Sequence, residues 1–116
     1  MSKFLNKVVN DNSLKVLREI PSKTFDLVFA DPPYNLQIGE NLRRPDDSKV
    51  RGVNDKWDQF KNFKHYDDFC KAWLYECKRV LKDNGSIWVI GSYHNIFRIG
   101  YLLQNLNYWI LNDIIW

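Results

Sequence analysis

What this sequence has little of narrows it first. It contains no run of about 18 apolar residues, so no membrane-spanning helix is expected. Its first residues, Met1-Ser2-Lys3-Phe4-Leu5-Asn6, lack the apolar core of an export signal. The only cysteines, Cys70 and Cys77, stand seven positions apart in a helical stretch. That spacing is roughly 10 Å along a helix axis, too far for a disulfide. They read as reduced, core or half-buried thiols, which suits a cytoplasmic protein. The two histidines, His65 and His94, are far apart, and no cysteine pair has ligand spacing, so no metal site is expected. Charge of either sign is also modest. Seventeen basic residues against 14 acidic give +3, compatible with a polyanionic partner but weak evidence for one. There is no internal repeat and no low-complexity segment.

What is present is a globular composition, 45% hydrophobic and 27% charged. The 116 residues suffice for one small domain, near the lower edge of the usual size. The aromatic share is high, 16% with five tryptophans. Large rings need large surfaces to bury against, and so short a chain has few. The composition therefore hints at part of a larger core.

Residues 7–10 form a short apolar stretch, a candidate strand. Asp11 or Asn12 then caps a short helix with Leu14, Leu17 and Ile20 on its apolar face, stopped by Pro21. Residues 25–30 (Phe-Asp-Leu-Val-Phe-Ala) are nearly all apolar, as expected of a strand buried on both faces of a parallel sheet. Residues 35–63 keep no period and mix charges of both signs around Gly39, Pro45 and Gly52, the pattern of a long functional loop. A helix is expected from Asp67, with Phe69, Trp73, Cys77, Val80 and Leu81 on one face. Lys78, Arg79 and Lys82 suit its negative end, and Asn84-Gly85 is its stop signal. A second buried strand is expected over 86–91, a helix over 95–106 and a third apolar strand over 108–116. Ending on that strand would leave an uncovered edge. The alternation of strands and helices argues for an α/β fold with a doubly wound parallel sheet.

The chemistry gathers at Asp31-Pro32-Pro33-Tyr34. In an open α/β sheet, ligands bind at the carboxyl ends of strands, and Asp31 directly follows the most apolar one. Proline fixes its own φ and drives the preceding residue extended, so the segment is stiff and aims its carboxylate. With few N–H groups nearby, its carbonyls remain free to accept. That suits an exocyclic amine: the Asp31 carboxylate accepts one hydrogen and a Pro32 or Pro33 carbonyl the other. Holding both hydrogens draws the nitrogen out of conjugation and aims its lone pair at an electrophile. Tyr34 offers a face on which a base stacks, worth about 1–3 kcal/mol. Such an amine is out of reach inside a duplex, so the base is flipped out. The alternative is an ordinary proline-rich turn, which the position after an apolar strand disfavours.

The chain resembles the beta-class DNA adenine-N6 methyltransferases, most closely the cell-cycle-regulated, GANTC-type enzymes and their restriction-modification relatives. The resemblance runs through residues 29–37 (Phe-Ala-Asp-Pro-Pro-Tyr-Asn-Leu-Gln), 42–46 (Leu-Arg-Arg-Pro-Asp) and 57–60 (Trp-Asp-Gln-Phe). It continues through 79–100 and 110–116 (Ile-Leu-Asn-Asp-Ile-Ile-Trp). Ordered, dispersed blocks are far more specific than the tetrapeptide. The resemblance implies the N-terminal half of a Rossmann-like methyltransferase fold, S-adenosylmethionine as methyl donor and adenine in double-stranded DNA as substrate. It gives Asp31, Pro32, Pro33 and Tyr34 the catalytic role, and sets Asp11 and Asp31 toward the donor. It sets Tyr34, Asn35, His94, Arg43 and Arg44 toward the substrate, with Asn95 beside them. Helix capping is the plain alternative for Asp11 and Asn95, and solvated loop charge for the two arginines.

The departures from the family matter as much. Such enzymes hold the donor with a Phe-x-Gly-x-Gly-type loop, C-terminal to the target-recognition region. The glycines here are at 39, 52, 85, 91 and 100, and none are spaced Gly-x-Gly. The expectation is therefore a partial methyltransferase domain over 1–116, inactive alone, without donor loop or target-recognition region. The alternatives are one half of a split enzyme, its partner a second chain, and a non-catalytic DNA-binding or regulatory remnant. For the full-length protein the resemblance also allows a homodimer. Methylation of cytosine N4 or a glutamine amide uses related tetrapeptides, but Asp31 with the neighbouring blocks favours adenine.

Overall fold

The structure is a computed structural model that describes residues 1–36, 43–49 and 56–116. Its helices are α1 (Ser13–Glu19), α2 (Phe63–Val80) and α3 (Ile96–Asn105), and its strands are β1 (Phe25–Ala30) and β2 (Leu81–Val89). Single 3₁₀ turns occupy Ser2–Phe4 and Lys56–Asp58. The fold is α/β with one two-stranded parallel sheet.

Helix α2 organises the rest. Tyr66, Cys70, Trp73, Leu74, Cys77 and Val80 are all buried, and they recur at the spacing of one helical face. Ile99 and Leu102 of α3 join that cluster, and Leu14 and Leu17 of α1 pack against it. Asn62 caps the N-terminus of α2 by accepting from the His65 amide, so the helix begins four residues before Asp67.

Lys78 and Arg79 stand in the last turn of α2 and also reach the neighbouring helices. Arg79 donates to the Leu17 and Ile20 carbonyls at the end of α1, at 2.8 and 2.9 Å, while pairing with Glu76 at 2.7 Å. Lys78 donates to the Leu106 and Asn107 carbonyls at the end of α3. The last carbonyls of α2 are taken instead by the amides of Lys23 and Thr24. The chain can thus pass from Val80 straight into β2, and Asn84-Gly85 is not a helix stop. Those residues lie in an irregularity of β2, where the register jumps from Phe25↔Leu81 to Leu27↔Ser86. A Cβ on Gly85 would stand 2.9 Å from Leu81 Cδ2, 3.0 Å from the Lys82 carbonyl and 3.2 Å from that of Asp26.

Three strand expectations fail. Residues 7–10 form no strand, and Val8 is fully exposed. Strand β1 is covered on one face only: Val28 and Ala30, with Ile87 and Val89 of β2, meet the core. Leu27, Phe29, Trp88 and Ile90 line the other face and remain exposed. Residues 108–116 also form no strand. Helix α3 ends in a Schellman motif, with Asn107 left-handed at φ 61° and the amides of Asn107 and Tyr108 returned to the Gln104 and Leu103 carbonyls. Tyr108 is thereby tied to the helix end, and its hydroxyl donates to the Leu74 carbonyl. Residues 109–116 leave exposed, and a strand exists only where a neighbour completes its ladder.

Of the expected loop 35–63, the described parts are more ordered than a structureless connection. Residues 43–49 form a small turn closed by an antiparallel bridge between Arg43 and Lys49. Gln37, Gly39, Leu42 and Gly52 lie outside the described residues.

Candidate active site

Strand β1 delivers Asp31, Pro32 and Pro33 beyond the carboxyl edge of the sheet, beside β2, whose Ile90 amide donates to the Ala30 carbonyl. Asp31 is exposed, whereas Pro32 to Leu36 are half-buried. A cleft of about 240 Å³ opens here, with Asp31, Pro32 and Pro33 on one side and Ser13, Leu17 and Trp73 of the helices around it. Typical small-molecule pockets span about 300–1,000 Å³. The cleft among the described residues is smaller than that range.

The Tyr34 hydroxyl donates to Asp31 Oδ1 at 2.5 Å. Burial, then that hydrogen bond and the carboxylate charge, push the Tyr34 phenol up to about 12. Among the described residues no hydrogen bond reaches Asp31 Oδ2. The two prolines differ. The Pro33 carbonyl accepts from the Tyr66 hydroxyl at 2.7 Å, while the Pro32 carbonyl accepts from none of the described residues.

The segment after the tetrapeptide is held from below. Asn35 is left-handed at φ 57°, a conformation asparagine tolerates better than most residues. Its amide donates to Asp58 Oδ1 and the next amide, Leu36, to Asp58 Oδ2, both at 2.8 Å. Sequence reading placed Asp58 within a family-like block but gave it no role. Tyr66 and Asp58 are the site-shaping residues it missed, and no local pattern singles either of them out.

The other expected residues fall in three places. Asp11 is exposed and pairs with Lys15 at 2.7 Å, which, with the Asn12 amide, holds its carboxyl below its ordinary value. Asn12, not Asp11, caps α1 by accepting from the Lys15 amide. At the end of β2, His94 is exposed beside the Tyr93 ring. Asn95 is fully buried and does not cap α3 with its side chain. Its Oδ1 accepts from the Ser92 amide at 2.8 Å, and its Nδ2 donates to the Tyr66 hydroxyl at 2.9 Å. Arg43 and Arg44 are tied within their own turn, to Asp47 and Ser48. Among the described residues no three His, Cys, Asp or Glu side chains gather into a metal-binding group. Cys70 and Cys77 are free and buried, and burial pushes each thiol up to about 11.

An exposed carboxylate and a stiff double proline thus stand together just beyond the carboxyl end of a parallel strand. Comparison with known proteins gives the family. Residues 25–116 match the family model described as DNA methylase (N6_N4_Mtase), and the chain belongs to that family. It is 53% identical over 113 residues to Type II methyltransferase M.HinfI of Haemophilus influenzae, covering 97% of this chain and 32% of that protein. It is 38% identical over 109 residues to Type II methyltransferase M2.LlaDCHI of Lactococcus lactis subsp. cremoris, covering 94% of this chain and 40% of that one. The chain thus spans between a third and two-fifths of the length of these relatives.

Proposed function

We propose that this chain forms the catalytic-motif part of a DNA adenine-N6 methyltransferase. The observation that carries the reading is Asp31, exposed at the cleft, whose Oδ2, like the Pro32 carbonyl, accepts from none of the described residues. A flipped-out adenine would give one amine hydrogen to Asp31 Oδ2 and the other to Pro32, since Tyr66 already uses Pro33. Tyr34 would supply the stacking face, with Asn35 and His94 at the rim and Arg43 and Arg44 toward the DNA backbone. When bound, S-adenosylmethionine supplies the methyl group. The protein's own contribution is to fix the amine nitrogen with its lone pair aimed at that methyl. Asp11 is the residue proposed at the adenosyl end, where it would exchange its Lys15 partner for the ligand.

The chemistry requires the rest of the donor and target sites from chain outside these residues, in the same polypeptide or in a second one. The small cleft supports this, as does the exposed apolar sheet face of Leu27, Phe29, Trp88 and Ile90. Added strands and helices on that face would complete the doubly wound sheet, and the protein would act in the cytoplasm within a restriction-modification or cell-cycle methylation system. The test is a fusion in which residues 1–116 replace the matching segment of the Haemophilus influenzae relative. Labelled S-adenosylmethionine should yield N6-methyladenine in DNA. Absence of transfer, or label on cytosine, would overturn the reading.

A further inference from the structure

We infer that Asp58 and Tyr66 are positioning residues that clasp the segment carrying the catalytic motif from both sides. This rests on the proposed function and adds to it the groups that hold the motif still. Asp58 lies 22 residues beyond Leu36 yet is only 2% exposed, and each of its carboxylate oxygens holds one of two consecutive amides, Asn35 and Leu36. A buried carboxylate without such donors would be costly. With them it fixes the left-handed turn at Asn35, and hence where the chain leaves Tyr34.

Tyr66, 1% exposed, works from the other side. Its hydroxyl donates to the Pro33 carbonyl and accepts from Asn95 Nδ2, while Asn95 Oδ1 accepts from the Ser92 amide. That chain of bonds ties the turn after β1, which lines the cleft, to the turn after β2. Phe60 meets the Tyr66 ring edge-on at 4.9 Å and limits its movement. Neither Asp58 nor Tyr66 touches the cleft, so both act through the residues they hold. With Pro33 to Leu36 anchored at three backbone atoms, the Asp31 carboxylate and Pro32 carbonyl keep one mutual geometry before any substrate arrives.

Two measurements test the clasp. In the 116-residue chain, Asp58→Asn should speed amide hydrogen exchange at Asn35 and Leu36 by roughly 10- to 100-fold while Val28 and Leu102 keep their rates. In the fusion with the Haemophilus influenzae relative, Asp58→Asn and Tyr66→Phe should each lower kcat on the order of 100-fold with KM for S-adenosylmethionine unchanged. Unchanged exchange at Asn35 and Leu36 would overturn the clasp, and so would faster exchange spread over the whole core, which marks a purely structural residue. Faster local exchange with unaltered kcat would overturn the positioning role. If Asp58→Asn does not fold, Tyr66→Phe decides by the same kcat-against-KM split. A parent fusion that fails to methylate counts against the proposed function, while the exchange rates still decide the clasp.

Discussion

The Tyr34 hydroxyl and Asp31 Oδ1 stand 2.5 Å apart, so the aromatic ring and the carboxylate of the motif are joined before substrate binds. One carboxylate oxygen is committed to Tyr34, and the other accepts from none of the described residues. The shared hydrogen also stabilises neutral Tyr34, whose phenol is pushed from 10.0 up to about 12, by burial first and by Asp31 second. A group raised in the folded state adds stability that is complete below its unfolded value and is lost as pH rises through the folded one. The window for Tyr34 therefore runs from about pH 10 to 12. Because burial remains, ultraviolet titration of the tyrosinate band should show Tyr34 ionising at lower pH in Asp31→Asn than in the parent chain, without a full return to its ordinary value. Identical curves would show that Asp31 has no hold on Tyr34.

Arg79 joins α2 to the end of α1 through two carbonyls and to Glu76 through a half-buried ion pair. Replacing it with alanine strands those acceptors together. Arg79→Ala should cost about 2–3 kcal/mol in denaturant unfolding, whereas Lys64→Ala, whose partner Asp68 is exposed on the same helix, should cost below about 0.5 kcal/mol. Equal effects would contradict the capping role given to Arg79.

Gly85 admits no side chain where β2 changes register, since a Cβ would meet the Lys82 and Asp26 carbonyls. Gly85→Ala should destabilise the chain by about 1–3 kcal/mol. Gly100→Ala, with open space around its Cβ, should be neutral or slightly stabilising through helix propensity. Differential scanning calorimetry of both variants checks the contrast.

Cys70 and Cys77 are buried and their thiols are raised to about 11, so thiolate is scarce near neutral pH. Alkylation by iodoacetamide at pH 8 should be slow in the folded chain and become rapid on addition of denaturant. Rapid labelling of both cysteines without denaturant would contradict the packing of α2.

The position of β1, the face of α2 and the Asp31-Pro32-Pro33-Tyr34 tetrapeptide were plain in the sequence, because each is written in adjacent or periodic residues. Asn12 as the cap of α1 was equally local, although Asp11 competed for the part. The misjudged elements depend on partners distant in sequence. Lys78 and Arg79 are end charges of their own helix, but the carbonyls they also reach at the ends of α1 and α3 are not written nearby in the sequence. Residues 108–116 are apolar enough for a strand, yet the turn at Asn107 and the lack of a pairing neighbour among the described residues leave them outside the sheet. Asp58 was invisible as a site residue because its role depends on two amides 22 and 23 positions away, a relation no local pattern encodes.

Asp31 is the residue on which the whole account turns, and the most direct measurement is methyl transfer by its variant. In the fusion with the Haemophilus influenzae relative, Asp31→Ala should lower the rate of labelled methyl transfer to DNA adenine by at least on the order of 100-fold. Unfolding and DNA retention should stay at parent values, because Asp31 is exposed and bonded only to Tyr34 among the described residues. An Asp31→Ala protein that methylates adenine within a few-fold of the parent rate would contradict the account.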